Sequence, residues 1–256
     1  MANRRPTNSE HGCKISRRRA VVIGLGGIGS WLTQALAPML AFDSVAPWKL
    51  VLIDGDTYET RNRGRQAFDN YGDKAIIQAD WVTVRFPELE VHGHRYYVAA
   101  EGGPAIRDTP VVAASNLLEE GDVVLSAVDN HSTRLVISQA CKRLRDVTLI
   151  SGGNELTDGN VQLYVRRRGR DVTPPIESYH PEIAAPLDKP PQEMSCEELS
   201  RSAPQLLATN LMCASIMLNM FYGECIADKG SGRARPEVYF DVLENVASPR
   251  AREARK

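Results

Sequence analysis

Between residues 54 and 74 the chain gathers side chains suited to gripping a polyphosphate. Asp54 and Asp56 flank Gly55. A polar, basic stretch runs from Thr57 to Gln66 and holds Asn62, Arg65 and Gln66, and Lys74 follows it. Guanidinium and ammonium groups neutralise the charge that develops when a phosphoryl or nucleotidyl group moves. Farther on, Asp129 and Asn130 close an apolar run. A Mg²⁺ ion needs one or two carboxylates beside phosphate oxygens, so Asp129 is the metal candidate. The competing reading of Asp129 is an acid that caps a helix.

These groups need a frame that brings them to one rim. Val21 to Ile23 reads as a buried parallel strand, and Gly24-Leu25-Gly26-Gly27-Ile28-Gly29 follows it directly. The periodic apolar residues Trp31, Leu32, Ala35, Leu36, Met39 and Leu40 then predict a helix. In such a strand–turn–helix, Gly24 takes the tight turn, Gly26 admits phosphates to the backbone and Gly29 lets helix and strand pack closely. The helix N-terminus offers free N–H groups to an anion. A second strand, Lys49–Ile53, ends at Asp54, where an acid commonly takes ribose hydroxyls. Lys74 opens an amphipathic helix, and Asp122–Val128 reads as a third buried strand ending at Asp129. Ser132 or Thr133 is the expected cap of the next helix. The fold class is α/β: a Rossmann-like, mostly parallel sheet with helices on both faces, extended by additional strands.

The remaining chain is expected to form strands at 94–98, 147–150, 160–165 and 237–243. Ser151 to Gly153 should turn away from the sheet. An apolar helix over 203–221 reads as core or as a dimer face. Three stretches should lack regular structure: a basic arm at 1–19, a proline-rich loop at 171–195 and a charged tail at 244–256. The chain has 256 residues, is 43% hydrophobic and carries a net charge of −1. That size suits one large α/β domain, and that charge balance points to neither nucleic acid nor membrane as a partner. No apolar run is long enough to span a bilayer, and the polar N-terminus is no secretory signal. Five cysteines without a CxxC pair suggest a reducing cytoplasm and no zinc site.

In order along the chain, the glycine turn at 24–29, the acid pair Asp54/Asp56, the Asn-x-x-Arg-Gln set Asn62/Arg65/Gln66, Lys74 and Asp129-Asn130 resemble the ThiF/MoeB/ubiquitin-activating-enzyme superfamily. The resemblance spans about residues 20–165 and the helix at 203–221. It implies ATP-dependent adenylation of the C-terminal glycine of a ubiquitin-like or sulfur-carrier protein. Asp54 would hold the ribose, Asn62, Arg65 and Lys74 the phosphates, and Asp129 Mg²⁺, with Gln66 as adjacent support. It also implies a homodimer and a partner conjugating enzyme. Some members pass the acyl group to a cysteine. Cys196, at the end of the proline-rich loop and the start of a helix, is the candidate, because a helix N-terminus acidifies a thiol. Glu197 and Glu198 work against that, and an incidental cysteine is the other reading.

The family's paired CxxC zinc motifs are missing, and its N-terminal arginine lacks its context. One of Arg17 to Arg19 would have to serve, and the sequence does not choose among them. Two alternatives stay open. An NAD(P)-dependent oxidoreductase would use the glycine turn and Asp54 but leave Asn62, Arg65, Gln66, Lys74 and Asp129 without work. A non-catalytic subunit of a heterodimeric activating enzyme would be expected to have lost some of these residues.

Overall fold

The apolar run at 18–23 becomes β1 (Arg18–Ile23), and its side chains alternate between two cores. The computed structural model describes residues 18–178, 180–189, 205–227 and 236–249. β1 pairs in parallel with β2 (Trp48–Ile53) on one side and β4 (Val123–Ser126) on the other. β3 (Glu90–His94) extends the parallel set beyond β2, and β5 (Val147–Asn154) extends it beyond β4. Antiparallel strands continue from β5: β6 (Asp158–Arg167), β8 (Glu237–Asp241) and β9 (Val246–Pro249). The two-residue β7 (Arg170–Asp171) hangs on β6. The result is a nine-stranded sheet ordered β9-β8-β6-β5-β4-β1-β2-β3, with β7 off the path.

Strand side chains alternate with a period of two, so each central strand feeds both faces. Val22, Leu50, Leu52 and Leu125 meet α1 (Gly27–Ala41), α2 (Lys74–Arg85) and α6 (Leu207–Phe221). Val21, Ile23, Val51, Ile53 and Val124 meet α3 (Ala114–Leu117) and α4 (His131–Arg143). The central parallel strands β1, β2 and β4 therefore read as largely apolar runs, because both their faces are covered, whereas the edge strand β3, Glu-Val-His-Gly-His, does not.

Several expectations need correction. β5 does not turn away at Ser151. It runs through Asn154, because Gly152 and Gly153 pair with Val161 and Asn160 of β6. The absence of a Cβ at Gly153 leaves room for the Arg134 guanidinium against the strand. The stretch after 171 is not wholly irregular: a 3-10 turn spans Ile176–Ser178 and α5 spans Pro181–Ala184, opening with proline where a helix tolerates it. Val246–Pro249 pairs with β8, so a strand stands within the stretch expected to be a flexible tail. Arg18 and Arg19 belong to β1 rather than to an arm. Arg18 lies 4.8 Å over the Trp48 ring and donates to the Cys225 carbonyl. Arg19 pairs with Asp122 at 3.0 Å. Both guanidiniums are thus engaged within their own chain, and Arg17 lies outside the described residues. α6 is mainly core, with Cys213, Met217 and Phe221 fully buried and Leu207 and Leu211 on its open side.

Candidate active site

The C-terminal ends of β1, β2 and β4 open on one rim, where open α/β sheets bind their ligands. A single cavity of about 750 Å³ lies there. Of the residues predicted to bind, Gly24, Gly26, Gly27, Asp54, Asp56, Asn62, Arg65, Gln66, Lys74, Asp129 and Asn130 all line it. Gly29 does not line it and acts in packing: a Cβ there would strike the Gly24 carbonyl. Cys196 lies outside the described residues.

The turn after β1 has physical reasons for its glycines. Gly24 has φ +86, and a Cβ on it would sit 2.8 Å from the Ala127 carbonyl. Its N–H donates to the Ile53 carbonyl at 2.9 Å, and the Ala127 N–H donates to that of Ile23 at 2.8 Å. A Cβ on Gly26 would meet only the Gln66 amide nitrogen, at 4.0 Å, so open space lies over that backbone. Asp54 then locks the turn to β2: its carboxylate accepts the N–H of Leu25 at 2.6 Å and that of Asp56 at 2.8 Å.

Lys74 is 4% exposed, and its ammonium lies 3.1 Å from Asp56. Tyr97 donates to the other Asp56 oxygen at 2.8 Å. Burial would strip the lysine's proton. The facing Asp54 and Asp56, with Asp129 beyond them, overcome that and raise its pKa. Burial acts oppositely on the acids and raises that of Asp54, against the pull of Lys74. For Asp56, Lys74 and the Tyr97 hydroxyl outweigh burial and hold its pKa down.

Arg65 is placed by α1. The Trp31 indole donates to its carbonyl at 3.2 Å, and the Ser30 hydroxyl accepts the Ala67 N–H at 3.1 Å. Its guanidinium donates to Asn62 at 3.2 Å and to Gln205 at 2.7 Å. Burial lowers its pKa and Asp129 opposes the shift. Gln66 is 5% exposed, and its side-chain carbonyl has no hydrogen-bond partner among the described residues.

The cap of α4 corrects an expectation. Asn130, not Ser132 or Thr133, caps the helix, accepting the Thr133 N–H at 2.7 Å. Asp188 also accepts the N–H groups of His131 and Ser132. The capping roles are therefore filled by Asn130 and Asp188, and Asp129 is left in the cavity wall.

Residues with no signal in the local sequence complete the cavity. Tyr97 comes from the strand Tyr97–Ala99 of a small three-stranded sheet, and Gly55 exists to admit its ring, which a Cβ would approach to 2.5 Å. Gln205 arrives just ahead of α6. Arg134, Asn160, His180 and Glu182 line the part of the cavity walled by α4, β6 and the α5 segment, its far lobe. Only the acid–glycine–acid pattern at 54–56 hinted at a close neighbour; the others carry no local signal.

The ThiF family profile matches residues 4–240. The chain belongs to the ThiF family. Among curated relatives, ubiquitin-like modifier-activating enzyme 5 of Gallus gallus is 31% identical over 160 residues, 59% of this chain and 38% of that protein. Adenylyltransferase and sulfurtransferase MOCS3 of Drosophila yakuba is 28% identical over 155 residues, 59% of this chain and 30% of that one. The chain thus spans between three and four tenths of these relatives. Crystal structures of E. coli MccB with succinimide and of PaaA share the fold. Their TM-scores are 0.64 and 0.58 at 17% and 16% identity, each covering 91% of this chain and 63% of the other. Asn62, Arg65, Gln66, Lys74 and Asp129, which an oxidoreductase would leave without work, all line the cavity of this ThiF-family chain. No helix among the described residues is long and apolar enough to cross a membrane.

Proposed function

We propose that this ThiF-family protein adenylates the C-terminal glycine carboxylate of a ubiquitin-like or sulfur-carrier protein. The observation that carries the proposal is the convergence of Asn62, Arg65, Lys74 and Asp129 on one cavity beside the open backbone at Gly26. The carboxylate oxygen of the carrier attacks the α-phosphorus of ATP. A carboxyl O–P bond forms, the bond to the β-phosphate oxygen breaks, and pyrophosphate leaves with the electron pair. No proton moves, so no base is needed. Catalysis is positioning plus charge neutralisation.

Asp54 and Asp56 stand where the ribose would lie. Asn62 and Arg65 address the phosphates. Lys74, paired with Asp56 in this state, is placed to turn toward them. Asp129 fits a Mg²⁺ ion shared with phosphate oxygens, and the ion would draw charge from the departing pyrophosphate. No cluster of three or more metal-binding side chains exists among the described residues, so phosphate would supply the rest of the shell. Cys196 is the thiol proposed to take the acyl group as a thioester. Homodimerisation, a conjugating enzyme as partner and a cytoplasmic location belong to the same proposal.

Mass spectrometry of a glycine-ended carrier after incubation with ATP and Mg²⁺ tests the reaction. The carrier should gain one AMP unit, and Arg65→Ala should abolish the gain. A carrier left unmodified while NAD(H) binds tightly would overturn the reading.

A further inference from the structure

The far lobe of the cavity holds an arrangement that adenylation does not use. His180 is 7% exposed and lies between two carboxylates. Its Nε2 meets Glu237 of β8, which is 1% exposed. Its Nδ1 meets Glu182 of α5 at 2.7 Å, and that side chain is half exposed. Asn160 and Gln162 of β6 donate to the same Glu237 oxygen at 3.3 and 3.5 Å, which fixes the buried acid. His180, Glu182 and Asn160 line the same cavity as Asp129. A buried carboxylate thus orients an imidazole whose second nitrogen meets a half-exposed carboxylate, and both of these residues line the cavity. That is the geometry of a general base with its orienting acid.

Burial by itself would lower the imidazole's pKa, but its hydrogen bonds to Glu237 and Glu182 win and raise it. The facing groups are Glu237 from β8 and Glu182 from α5, with the Tyr239 ring at 6.5 Å and His131 of α4 acting on Glu182. Both carboxylates thus favour the protonated ring while Glu182 covers it. Glu155 and Asp158 line the same lobe. Against them stands Arg134, whose guanidinium donates to the carbonyls of Val128 and Gly152. This wall draws cations and repels a thiolate.

We propose that His180, backed by Glu237, is the general base of a second step in which a primary amine takes the acyl group directly from the adenylate. The proposal rests on the adenylation reading. An ammonium entering the lobe draws Glu182 away from Nδ1. The ring, left with one anion instead of two, releases its proton, and the ammonium loses one proton to water. The neutral nitrogen attacks the acyl carbon and a C–N bond forms. The bond from that carbon to the AMP oxygen breaks, AMP leaves with the electron pair, and the remaining extra proton on nitrogen passes to Nδ1.

The test separates the two half-reactions. His180→Gln and Glu237→Gln proteins receive ATP, Mg²⁺ and a carrier that supports ATP–pyrophosphate exchange, followed by ethylamine. Exchange should stay within about twofold of the unaltered protein, while formation of the carrier ethylamide falls about 100-fold, the lower end of what a general base supplies. Ethylamide formation at the unaltered rate, or falling in step with exchange, overturns the proposal. Ethylamide formation must also survive Cys196→Ala; its loss would place a thioester in the path and overturn direct attack. A second measurement needs no variant and no adenylation. In nitrogen NMR of the unaltered protein, ethylammonium should move the His180 titration to lower pH, and sodium ions at equal ionic strength should not. An unmoved titration overturns the proposal. Absence of exchange with every carrier would instead count against the adenylation reading, leaving the NMR result to decide this one.

Discussion

The two lobes of the cavity each hold a buried basic side chain paired with carboxylates, and they are built in opposite ways. In the nucleotide lobe, Lys74 is paired with Asp56, and both come from one stretch, residues 54–74, running from the end of β2 into α2. In the far lobe, His180 meets Glu237 across 57 positions of sequence, joining the α5 segment to the antiparallel extension. A site on the parallel strand ends is a local product of chain order, because each strand delivers its next residues to the rim. A site on the extension depends on tertiary pairing. Lys74 has a task that adenylation defines; His180 has one that adenylation leaves over.

Substitutions should separate the lobes, the largest effect coming from the phosphate-binding cations. Lys74→Ala and Arg65→Ala should each cost about 2–4 kcal/mol of transition-state stabilisation in ATP–pyrophosphate exchange. Exchange that is lost equally in His180→Gln would break the division between lobes. Next comes Asp129→Asn, which should raise the Mg²⁺ concentration needed for half-maximal exchange about tenfold, read from a metal titration; an unchanged requirement would remove Asp129 as a metal ligand. Gln205→Ala removes a 2.7 Å hydrogen bond to Arg65. It should weaken ATP binding by about 1 kcal/mol in calorimetry, and an unchanged affinity would mean that Arg65 is placed by Asn62 and the α1 contacts alone.

The smallest effect belongs to the opposite, N-terminal end of the parallel strands, where Asp122 precedes β4. Burial raises the Asp122 carboxyl from 3.8 to about 6, despite Arg19 beside it. An acid whose folded pKa is raised contributes stability fully below its unfolded value and loses it as pH rises through the folded one. Asp122→Asn should therefore leave the melting temperature unchanged at pH 4. At pH 8 it should raise stability by less than about 1 kcal/mol. A loss of stability at pH 8 would show that the Arg19 pair dominates instead. Exchange activity should stay unaltered throughout, since Asp122 does not line the cavity.

The sequence made the parallel half legible, because β1, β2 and β4 are apolar on both faces and each ends in a glycine or acid with a chemical reason to stand there. The extension was harder to read. Gly152 and Gly153 looked like a turn, yet they sit inside β5, where Gly153 makes room for Arg134 and Gly152 for Met217 and Cys213. The proline-rich stretch hid α5 because four residues are too few for a periodic signal. The Asn130 cap was missed because a strand-end asparagine was read only as a ligand. His180 and Glu237 could not have been paired from sequence, because Glu237 owes its place to the pairing of β8 with β6, which Asn160 and Gln162 reinforce.

ATP–pyrophosphate exchange with Mg²⁺, measured with and without a ubiquitin-like or sulfur-carrier protein ending in glycine, tests the central claim most directly. Exchange should require the carrier's terminal glycine carboxylate and disappear in Lys74→Ala. Exchange that proceeds unchanged in Lys74→Ala, or that no glycine-ended carrier supports, would contradict adenylation at this site.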